Sequence, residues 1–469
     1  MSRLMRCLYC GVLQDEPVGA KSCVRCGGEL TFEENLHTTP QTSYIQVQME
    51  LDQVQAPAAR NIERYVLVTL RTPQKVPAAE TVPTTTGRAA MNFSAVLDVS
   101  GSMHGAKLEN ARAAVRQALH RLHDGDVFSL VLFSSQVECV FEPAALNSDT
   151  RGEVEAALDK VRTGGMTALA GGLNLGIEKI HAQKQDTNLV LLLSDGQANV
   201  GDTDLEKIGY RGYVARQQGI IVSTLGVGSD YNEALMAEIA TQGGGRFYHI
   251  AAAHQISAYL TGELGEVAAL VARQAQIHLT LPAGAALMPL SAAYSVRQNG
   301  GEAIVDVGDL PADLELEIPL RLTLPAQTQG TKLSVEGRLT HLSPAGNTLE
   351  APINRITVRF VASEGFMLRD GVVEPVARQV LAQMKAASVL SFSRAAAMMP
   401  GKAAQQADVA LNTVRQYAAL LGEQEAEEEA LGLEMQFSQM RAAPEQSKQV
   451  VYAAFSLARG AKSLTPEDD

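Results

Sequence analysis

The sequence lacks tryptophan, has only five cysteines among 469 residues, and contains no long apolar run. Its apolar segments, such as LVLLL at 189–193, fall far short of the ~20 residues that a membrane-spanning helix needs. The first residues, MSRLMRCLYC, also lack the apolar stretch of a secretory signal. These absences predict a cytoplasmic protein without a membrane span.

Excess positive charge is also absent, since the formal net charge is -13. Nucleic acids and anionic membranes both require a basic surface, so neither is expected as a main partner. The hydrophobic content of 46% and charged content of 19% are typical of globular proteins. A chain of this length is expected to form about three domains.

Four of the five cysteines form two C-x-x-C pairs, Cys7 with Cys10 and Cys23 with Cys26, each followed by glycine. Paired thiolates on tight turns are the usual ligands of structural Zn²⁺. So small a unit has almost no core and would need its metal to fold. The pattern therefore predicts a zinc ribbon over residues 1–30. Redox pairs or two disulfides are less favoured alternatives, because no strand-helix unit accompanies the cysteines.

The remaining chain divides by its hydrophobic pattern. Alternating apolar and polar residues, typical of half-buried strands, occur in 43–85 and again in 275–362. The stretch between them, 91–272, alternates strand and helix, and 370–462 is helical in pattern. We predict a β-sandwich that is split in sequence, with an α/β domain inserted and a helical C-terminal region. Two separate small β units are the alternative.

The inserted stretch contains apolar strands without alternation, separated by amphipathic helices, the last of which is expected to run to about Ala272. This pattern indicates a mainly parallel sheet with helices on both faces. Cys139 is interpreted as a buried thiol on one of its strands. Sheets of this kind bind ligands at the carboxyl ends of their strands.

Polar side chains follow those strands at three places. Asp98, Ser100 and Ser102 follow the first strand in DVSGSM, Thr167 lies in the loop TGGMTAL, and Asp195 follows LVLLLS. This D-x-S-x-S…T…D pattern resembles the von Willebrand factor A domain. The likeness extends to KLENARAAV, SDGQANVGDTD and TLGVGSDYNEALMAEIATQGGGRFYHI, and it is strongest to bacterial cytosolic members.

The resemblance implies a Rossmann-like domain whose five motif residues form a metal-ion-dependent adhesion site. Oxygen-only ligands suit a hard cation, so Mg²⁺, Mn²⁺ or Ca²⁺ is expected there. A cation with largely uncharged direct ligands can accept a carboxylate from outside. Alternatively, Ser100 and Ser102 are only caps at helix starts.

Three residues beside the motif are candidates for a partner-binding rim, namely His104, Gln197 and Asn199. An exposed histidine at a helix start and turn formers in DGQANVGD are the simpler interpretations.

The leading hypothesis for function is a metal-dependent adaptor or assembly factor that grips an Asp or Glu of a partner or of another copy. Members of the superfamily often work with AAA+ ATPases, and since this chain has no Walker A sequence, such an ATPase would be a separate polypeptide. A scaffold in which the cation only ties loops together is a second hypothesis. A metal-dependent hydrolase is a third, but the chain has no H-E-x-x-H and no G-x-S-x-G, so no enzyme activity is expected.

Overall fold

A computed structural model describes most of the chain. The described residues are 41–77, 90–195, 198–228, 231–250 and 270–460, three short strands β1 (Leu4–Cys7), β2 (Leu13–Asp15) and β3 (Leu30–Phe32), and Ser22, Tyr259 and Leu264. The three strands pair in the antiparallel order β2-β1-β3. Cys7 ends β1, whereas Cys10, Cys23 and Cys26 lie outside the described residues, and so does the predicted four-cysteine zinc site.

The chain forms two units. One contains Met1–Gln41, Ala89–Tyr231 and Glu238–Leu260, and the other contains Thr42–Arg88, Asn232–Ala237 and Thr261–Asp469.

The first unit is built on a sheet of six described strands. They are β8 (Met91–Asp98), β9 (Val127–Phe133), β10 (Val137–Ala145), β11 (Thr187–Ser194), β12 (Ile221–Val227) and β13 (Gly244–Ile250). Their spatial order is β10-β9-β8-β11-β12-β13, and only β10, at one edge, runs antiparallel to its neighbour. Every residue of β8, β9 and β11 is buried, as expected for strands covered on both faces.

Four helices accompany this sheet, and a fifth is divided between the two units. The four are α1 (Ala106–Arg121), α2 (Ser148–Lys160), α3 (Leu169–Ala182) and α4 (Leu205–Gln217), and the fifth is α5 (Glu233–Gln242). The strand order reverses between β8 and β11, as in Rossmann-like sheets, where the ligand crevice lies at this reversal. The predicted α/β fold is confirmed.

Helix α3 packs very closely on the sheet because two of its turns carry glycine. A Cβ placed on Gly172 would lie 2.5 Å from the ring of Phe133, and one on Gly176 would lie 2.3 Å from Val96 Cγ2. Real side chains do not approach so closely, so the spacing of helix and sheet depends on these glycines. Since α3 follows the loop that carries Thr167, its position also sets the position of that loop.

Two expectations for this region need correction. The last helix was expected to run to about Ala272, but Leu270 already begins a strand. Cys139 is half-buried rather than buried, because its strand, β10, lies at the edge of the sheet. Its thiol donates to the carbonyl oxygen of Phe141 at 3.1 Å.

The second unit contains two further sheets. Their strands are β4 (Gln41–Thr42), β5 (Gln46–Leu51), β6 (Gln55–Pro57), β7 (Ile62–Arg71), β14 (Leu270–Thr280), β15 (Ala286–Pro289), β16 (Ser295–Asn299), β17 (Glu302–Pro311), β18 (Glu315–Leu324), β19 (Lys332–Leu342) and β20 (Thr348–Val361). One sheet has the order β16-β17-β14-β19-β20-β4, with β6 beside β20, and the other has the order β15-β18-β7-β5. A single hydrophobic core includes Ile277 and Val305 of the first sheet and Val68 and Leu320 of the second. Strands that precede β8 in the sequence, such as β7, and strands that follow β13, such as β14, thus share one hydrophobic core.

The C-terminal part of this unit is helical, as predicted. It contains α6 (Glu374–Met398), α7 (Pro400–Ala418), α8 (Glu423–Ala442) and α9 (Pro444–Ala458). The acidic run at 423–430 is the first half of α8, where Glu425 pairs with Arg378 and Glu429 pairs with Lys385 of α6. Among the described residues, no helix is both long enough and apolar enough to cross a bilayer.

A buried carboxyl group lies within the second unit. Asp52 accepts hydrogen bonds from the Tyr65 backbone N–H at 2.9 Å and from the Tyr417 hydroxyl at 3.1 Å. Burial raises the pKa of Asp52 to about 6, although these bonds and the nearby Arg64 charge act in the opposite direction. The carboxyl group therefore ionises in the folded protein at a much higher pH than in an unfolded chain.

Candidate metal site

The two motif aspartates lie at the ends of neighbouring parallel strands. Strands β8 and β11 pair with Leu97 opposite Leu193, Asp98 is the last residue of β8, and Asp195 follows β11 directly. Both aspartates are fully buried. Because the strand order reverses between β8 and β11, the two carboxylates flank the crevice in which such sheets bind ligands.

Both oxygens of Asp98 have hydrogen-bond donors. The backbone N–H of Ser100 donates to Oδ1 at 2.8 Å, and the hydroxyl of Ser194 donates to Oδ2 at 2.5 Å. Burial raises the pKa of Asp98 to about 6, the two serines oppose this shift, and the charge of Asp195 adds to it. In this setting a positive charge placed beside Asp98 would favour its ionised form.

The two motif serines lie next to Asp98. The hydroxyls of Ser100 and Ser102 are 3.1 Å apart, and Ser100 is buried. Ser100 precedes a short 3₁₀ turn, Gly101–Met103, but its side chain makes no capping hydrogen bond there. Capping therefore does not account for the Ser100 hydroxyl.

The loop that carries Thr167 is joined to the Asp98 loop through the backbone. The N–H of Gly101 donates to the carbonyl of Gly165 at 3.1 Å, and the N–H of Gly164 donates to the carbonyl of Val99 at 2.8 Å. Thr167 itself is buried. Two loops of the predicted site are thus held side by side without the help of any side chain.

The third loop is joined to Thr167 as well. The Asn199 side-chain oxygen accepts the backbone N–H of Thr167 at 2.6 Å, and the Thr167 carbonyl accepts the N–H groups of Asn199 and Val200 at 3.1 and 3.2 Å. The sequence predicts Asn199 to be either a partner-binding rim residue or a turn former. The structure gives it a further role, since its side chain positions the Thr167 backbone.

Asp195 is the motif residue with an unsatisfied oxygen. Its Oδ1 atom is buried and has no hydrogen-bond partner among the described residues. Its Oδ2 atom lies 3.3 Å from the ammonium group of Lys107 on α1. A buried carboxylate oxygen without a donor is unfavourable, so a cation at this position would remove a penalty that the protein otherwise carries.

The other two predicted rim residues are His104 and Gln197. His104 is exposed, and its Nδ1 atom lies 3.0 Å from the carbonyl oxygen of Gly101. Gln197 lies outside the described residues. Contact of these side chains with a partner stays a prediction.

The donor chemistry fits a hard cation. Among the described residues, no three His, Cys, Asp or Glu side chains gather as they would around zinc. The carboxyl edge of the sheet instead offers two carboxylates and three hydroxyls. Oxygen ligands of this kind suit Mg²⁺, Mn²⁺ and Ca²⁺.

A groove of about 1080 Å³ lies elsewhere in the same unit, between α3 and α4. Its lining includes Ile177, Tyr210 and Val214, and Tyr210 is largely exposed. Since the groove is lined mostly by apolar groups of the two helices, it is separate from the oxygen-rich edge that carries the motif.

Comparison with known proteins identifies this unit. Residues 94–261 match the model of the von Willebrand factor type A domain. The chain is 28% identical over 287 residues to the uncharacterized protein sll0103 of Synechocystis, a match of 57% of this chain and 66% of that protein. It is 27% identical to the uncharacterized protein YfbK of Escherichia coli over 51% of this chain and 42% of the relative. The chain thus spans less than two thirds of the length of either relative.

Two solved structures share the fold. A von Willebrand factor type A protein from Catenulispora acidiphila superposes with a TM-score of 0.63, at 15% identity, over 91% of this chain and 99% of the other. The ArnB paralog VWA2 from Sulfolobus acidocaldarius gives a TM-score of 0.56, at 16% identity, over 89% of this chain and 99% of the other. Together with the strand order and the matched segment, these likenesses lead to one conclusion: residues 94–261 form a von Willebrand factor type A domain.

Proposed function

We propose that Asp98, Ser100, Ser102, Thr167 and Asp195 hold a divalent cation as a metal-ion-dependent adhesion site. Through this cation the protein binds an acidic side chain of a partner, and it acts as an adaptor or assembly factor. The observation that carries the proposal is the buried Oδ1 of Asp195, which has no partner among the described residues. No catalytic step is assigned to the site.

The protein groups have distinct roles in this proposal. Asp98 and Asp195 supply the negative charge, while the three hydroxyls supply neutral oxygens. When bound, the cation supplies a positive centre that attracts a carboxylate from outside. The Ser100 N–H and the Ser194 hydroxyl hold Asp98 in place, and Asn199 holds the Thr167 backbone. Mg²⁺, Mn²⁺ and Ca²⁺ all accept such oxygens.

The proposed partner is a protein that presents Asp or Glu. A second copy of this chain is one candidate, and a component of an AAA+ ATPase system, as a separate polypeptide, is another. Von Willebrand factor type A domains commonly mediate protein–protein interaction, which supports a binding role. The acidic net charge of the chain is unfavourable for an acidic partner, and a bound cation would supply a local positive centre that attracts one.

Isothermal titration with MgCl₂ and MnCl₂ tests the cation site. The wild type is expected to bind one cation per chain, and Asp98→Ala and Asp195→Asn are expected to abolish binding. Asp149→Ala, which removes an exposed carboxylate on α2, is the matched control and is expected to bind normally. Equal cation binding by wild type and Asp195→Asn would contradict the proposal.

An affinity pull-down from the native cell, with Mg²⁺ and with EDTA, tests the partner. Proteins retained by the wild type with Mg²⁺, but lost with EDTA and with Asp98→Ala, are the expected result. If the cation stabilises the protein but neither EDTA nor Asp98→Ala changes partner binding, the site has a scaffold role instead. Hydrolysis of a phosphoester or peptide that disappears in Asp195→Ala would show an enzyme.

The proposal also covers the parts around the domain. Residues 43–85 and 275–362, together with the start of β14 at Leu270, form a β-sandwich into which the α/β domain is inserted, and residues 1–30 form a structural zinc ribbon in a cytoplasmic protein. The shared core of the two sheets supports the sandwich. Elemental analysis of freshly purified reduced protein is expected to give one zinc per chain, and none after substitution of Cys23 and Cys26 by serine.

A further inference from the structure

Lys107 lies beside the proposed cation site, although it is not part of the motif. It is in the first turn of α1, and its Nζ atom lies 3.3 Å from Oδ2 of the fully buried Asp195. Only 19% of the Lys107 side chain is exposed. The Lys107 side chain is therefore largely shielded from water, and its ion pair with the buried Asp195 is stronger than a pair on the surface.

The path of the Lys107 side chain is made possible by a glycine. Gly228, just after β12, has a φ of +90°, and a Cβ at this position would lie 2.7 Å from Lys107 Cε. The lysine stem thus runs through the space that any other side chain at 228 would fill. The absence of a side chain at Gly228 thus lets the Lys107 stem extend toward Asp195.

The lysine takes one oxygen of Asp195 and leaves the other. Oδ2 contacts the ammonium group, whereas Oδ1 has no hydrogen-bond partner among the described residues. Occupancy of Oδ2 by Lys107 holds the carboxylate in one orientation and leaves Oδ1 for a cation. The lysine and the cation can therefore be bound by the same carboxylate together.

The charges of the centre give the lysine a second effect. Asp98 and Asp195 together carry two negative charges when ionised, which a divalent cation alone would neutralise. Lys107 adds one positive charge beside this centre, whether or not the cation is bound. Because of this added charge, the unloaded centre attracts an incoming cation less strongly than it would without the lysine, and the loaded centre attracts an incoming carboxylate more strongly.

We infer that Lys107 is a resident counter-cation of the metal centre, which lowers its affinity for the divalent cation and raises the affinity of the loaded centre for a carboxylate. This inference rests on the proposed function. It means that one residue outside the motif sets the affinity of the centre for the metal relative to its affinity for the partner's carboxylate.

Mn²⁺ binding to the full chain, followed by the electron paramagnetic resonance signal of the free ion, tests the first half. Lys107→Met removes the charge at nearly the same length, and Lys107→Arg keeps it. The expected result is roughly tenfold tighter Mn²⁺ binding by Lys107→Met and near wild-type binding by Lys107→Arg.

Acetate, as the simplest carboxylate, tests the second half through the water relaxation of protein-bound Mn²⁺ at constant ionic strength. The Mn²⁺-loaded Lys107→Met variant is expected to bind acetate roughly fivefold more weakly than the loaded wild type or Lys107→Arg does. These opposite changes separate the inference from a purely structural role, because a disturbed site would bind both metal and acetate more weakly.

The outcomes also separate the inference from the proposed function. Absence of Mn²⁺ binding by the wild type would overturn both. Mn²⁺ binding by the wild type that is lost in Asp195→Asn, with Lys107→Met equal to or weaker than the wild type, would overturn the inference alone.

Discussion

The hydroxyl of Ser194 on β11 donates a 2.5 Å hydrogen bond to Oδ2 of Asp98 on β8. Both residues are fully buried, and the bond links the two strands between which the order of the sheet reverses. Ser194 is not a motif residue, yet it completes the hydrogen bonding of a motif carboxylate.

Ser194→Ala is expected to lower the free energy of unfolding by about 1–3 kcal/mol, because a buried carboxylate oxygen loses its donor. Denaturant unfolding of the full chain, without divalent cation, measures this change. Ser129→Ala is the matched control, since the Ser129 hydroxyl is buried in the same sheet without a partner among the described residues. Its removal is expected to be neutral or stabilising, and equal losses in the two variants would contradict the role given to Ser194.

Asn199→Ala is expected to weaken Mg²⁺ binding roughly tenfold, because the N–H of Thr167 loses the acceptor that positions its loop. Isothermal titration measures the affinity. Asn199→Asp keeps an acceptor oxygen at the same place and is expected to bind at least as well as the wild type. Weak binding by both variants would indicate that the side-chain nitrogen, rather than the oxygen, is needed.

Gly176→Ala is expected to destabilise the domain by about 1–3 kcal/mol, because its new methyl group would meet Val96 of the central strand β8 and push α3 from the sheet. Gly152→Ala in α2 is the control, since nothing lies within 4 Å of the position of its Cβ. That substitution is expected to stabilise the helix by about 0.5–1 kcal/mol. Thermal unfolding of both variants measures the difference, and a neutral Gly176→Ala would show that α3 can shift without loss.

Asp52 is expected to make stability depend on pH in an unusual direction. Its pKa is about 6 in the folded chain against an ordinary 3.8, so the folded state binds the proton more tightly than the unfolded state. The stability contributed by the protonated group is complete below about pH 4 and is lost as the pH rises through about 6. The loss between pH 4 and pH 7 is expected to reach ~2 kcal/mol.

Comparison with Asp52→Asn isolates this contribution, because asparagine keeps an acceptor for the Tyr65 N–H and does not ionise. The unfolding free energy of the wild type minus that of Asp52→Asn, measured from denaturant unfolding, is expected to fall from pH 4 to pH 7. A difference that stays constant, or that rises over this range, would show that Asp52 is ionised in the folded protein at low pH.

The α/β domain was predictable from the sequence because its signals are local. Short uniformly apolar segments such as LVLLL, separated by amphipathic helices, are typical of a parallel sheet that is covered on both faces. A polar residue directly after such a strand must then lie at the carboxyl edge. For this reason the positions of Asp98 and Asp195 followed from the chain alone, and the strand order placed them on adjacent strands.

The residues that support the motif were not predictable in the same way. Lys107, Ser194 and Asn199 act through contacts with residues 88, 96 and 32 positions away along the chain, respectively. Spacing within a motif carries no information about such contacts, because they arise only when the loops are assembled. The start of β14 at Leu270 was missed for a related reason, since LVARQAQ fits a helix as well as a strand until its neighbours β17 and β19 are known.

The backbone hydrogen bonds between the Asp98 and Thr167 loops have a practical consequence. Because Gly101 and Gly164 form them through main-chain atoms, these bonds do not depend on the hydroxyl groups of Ser102 and Thr167. Replacing the hydroxyls of Ser102 and Thr167 by hydrogen or methyl groups should thus yield a natively folded protein that does not bind Mg²⁺. Such a protein is a suitable bait for distinguishing partners that recognise the shape of the domain from partners that recognise its ion.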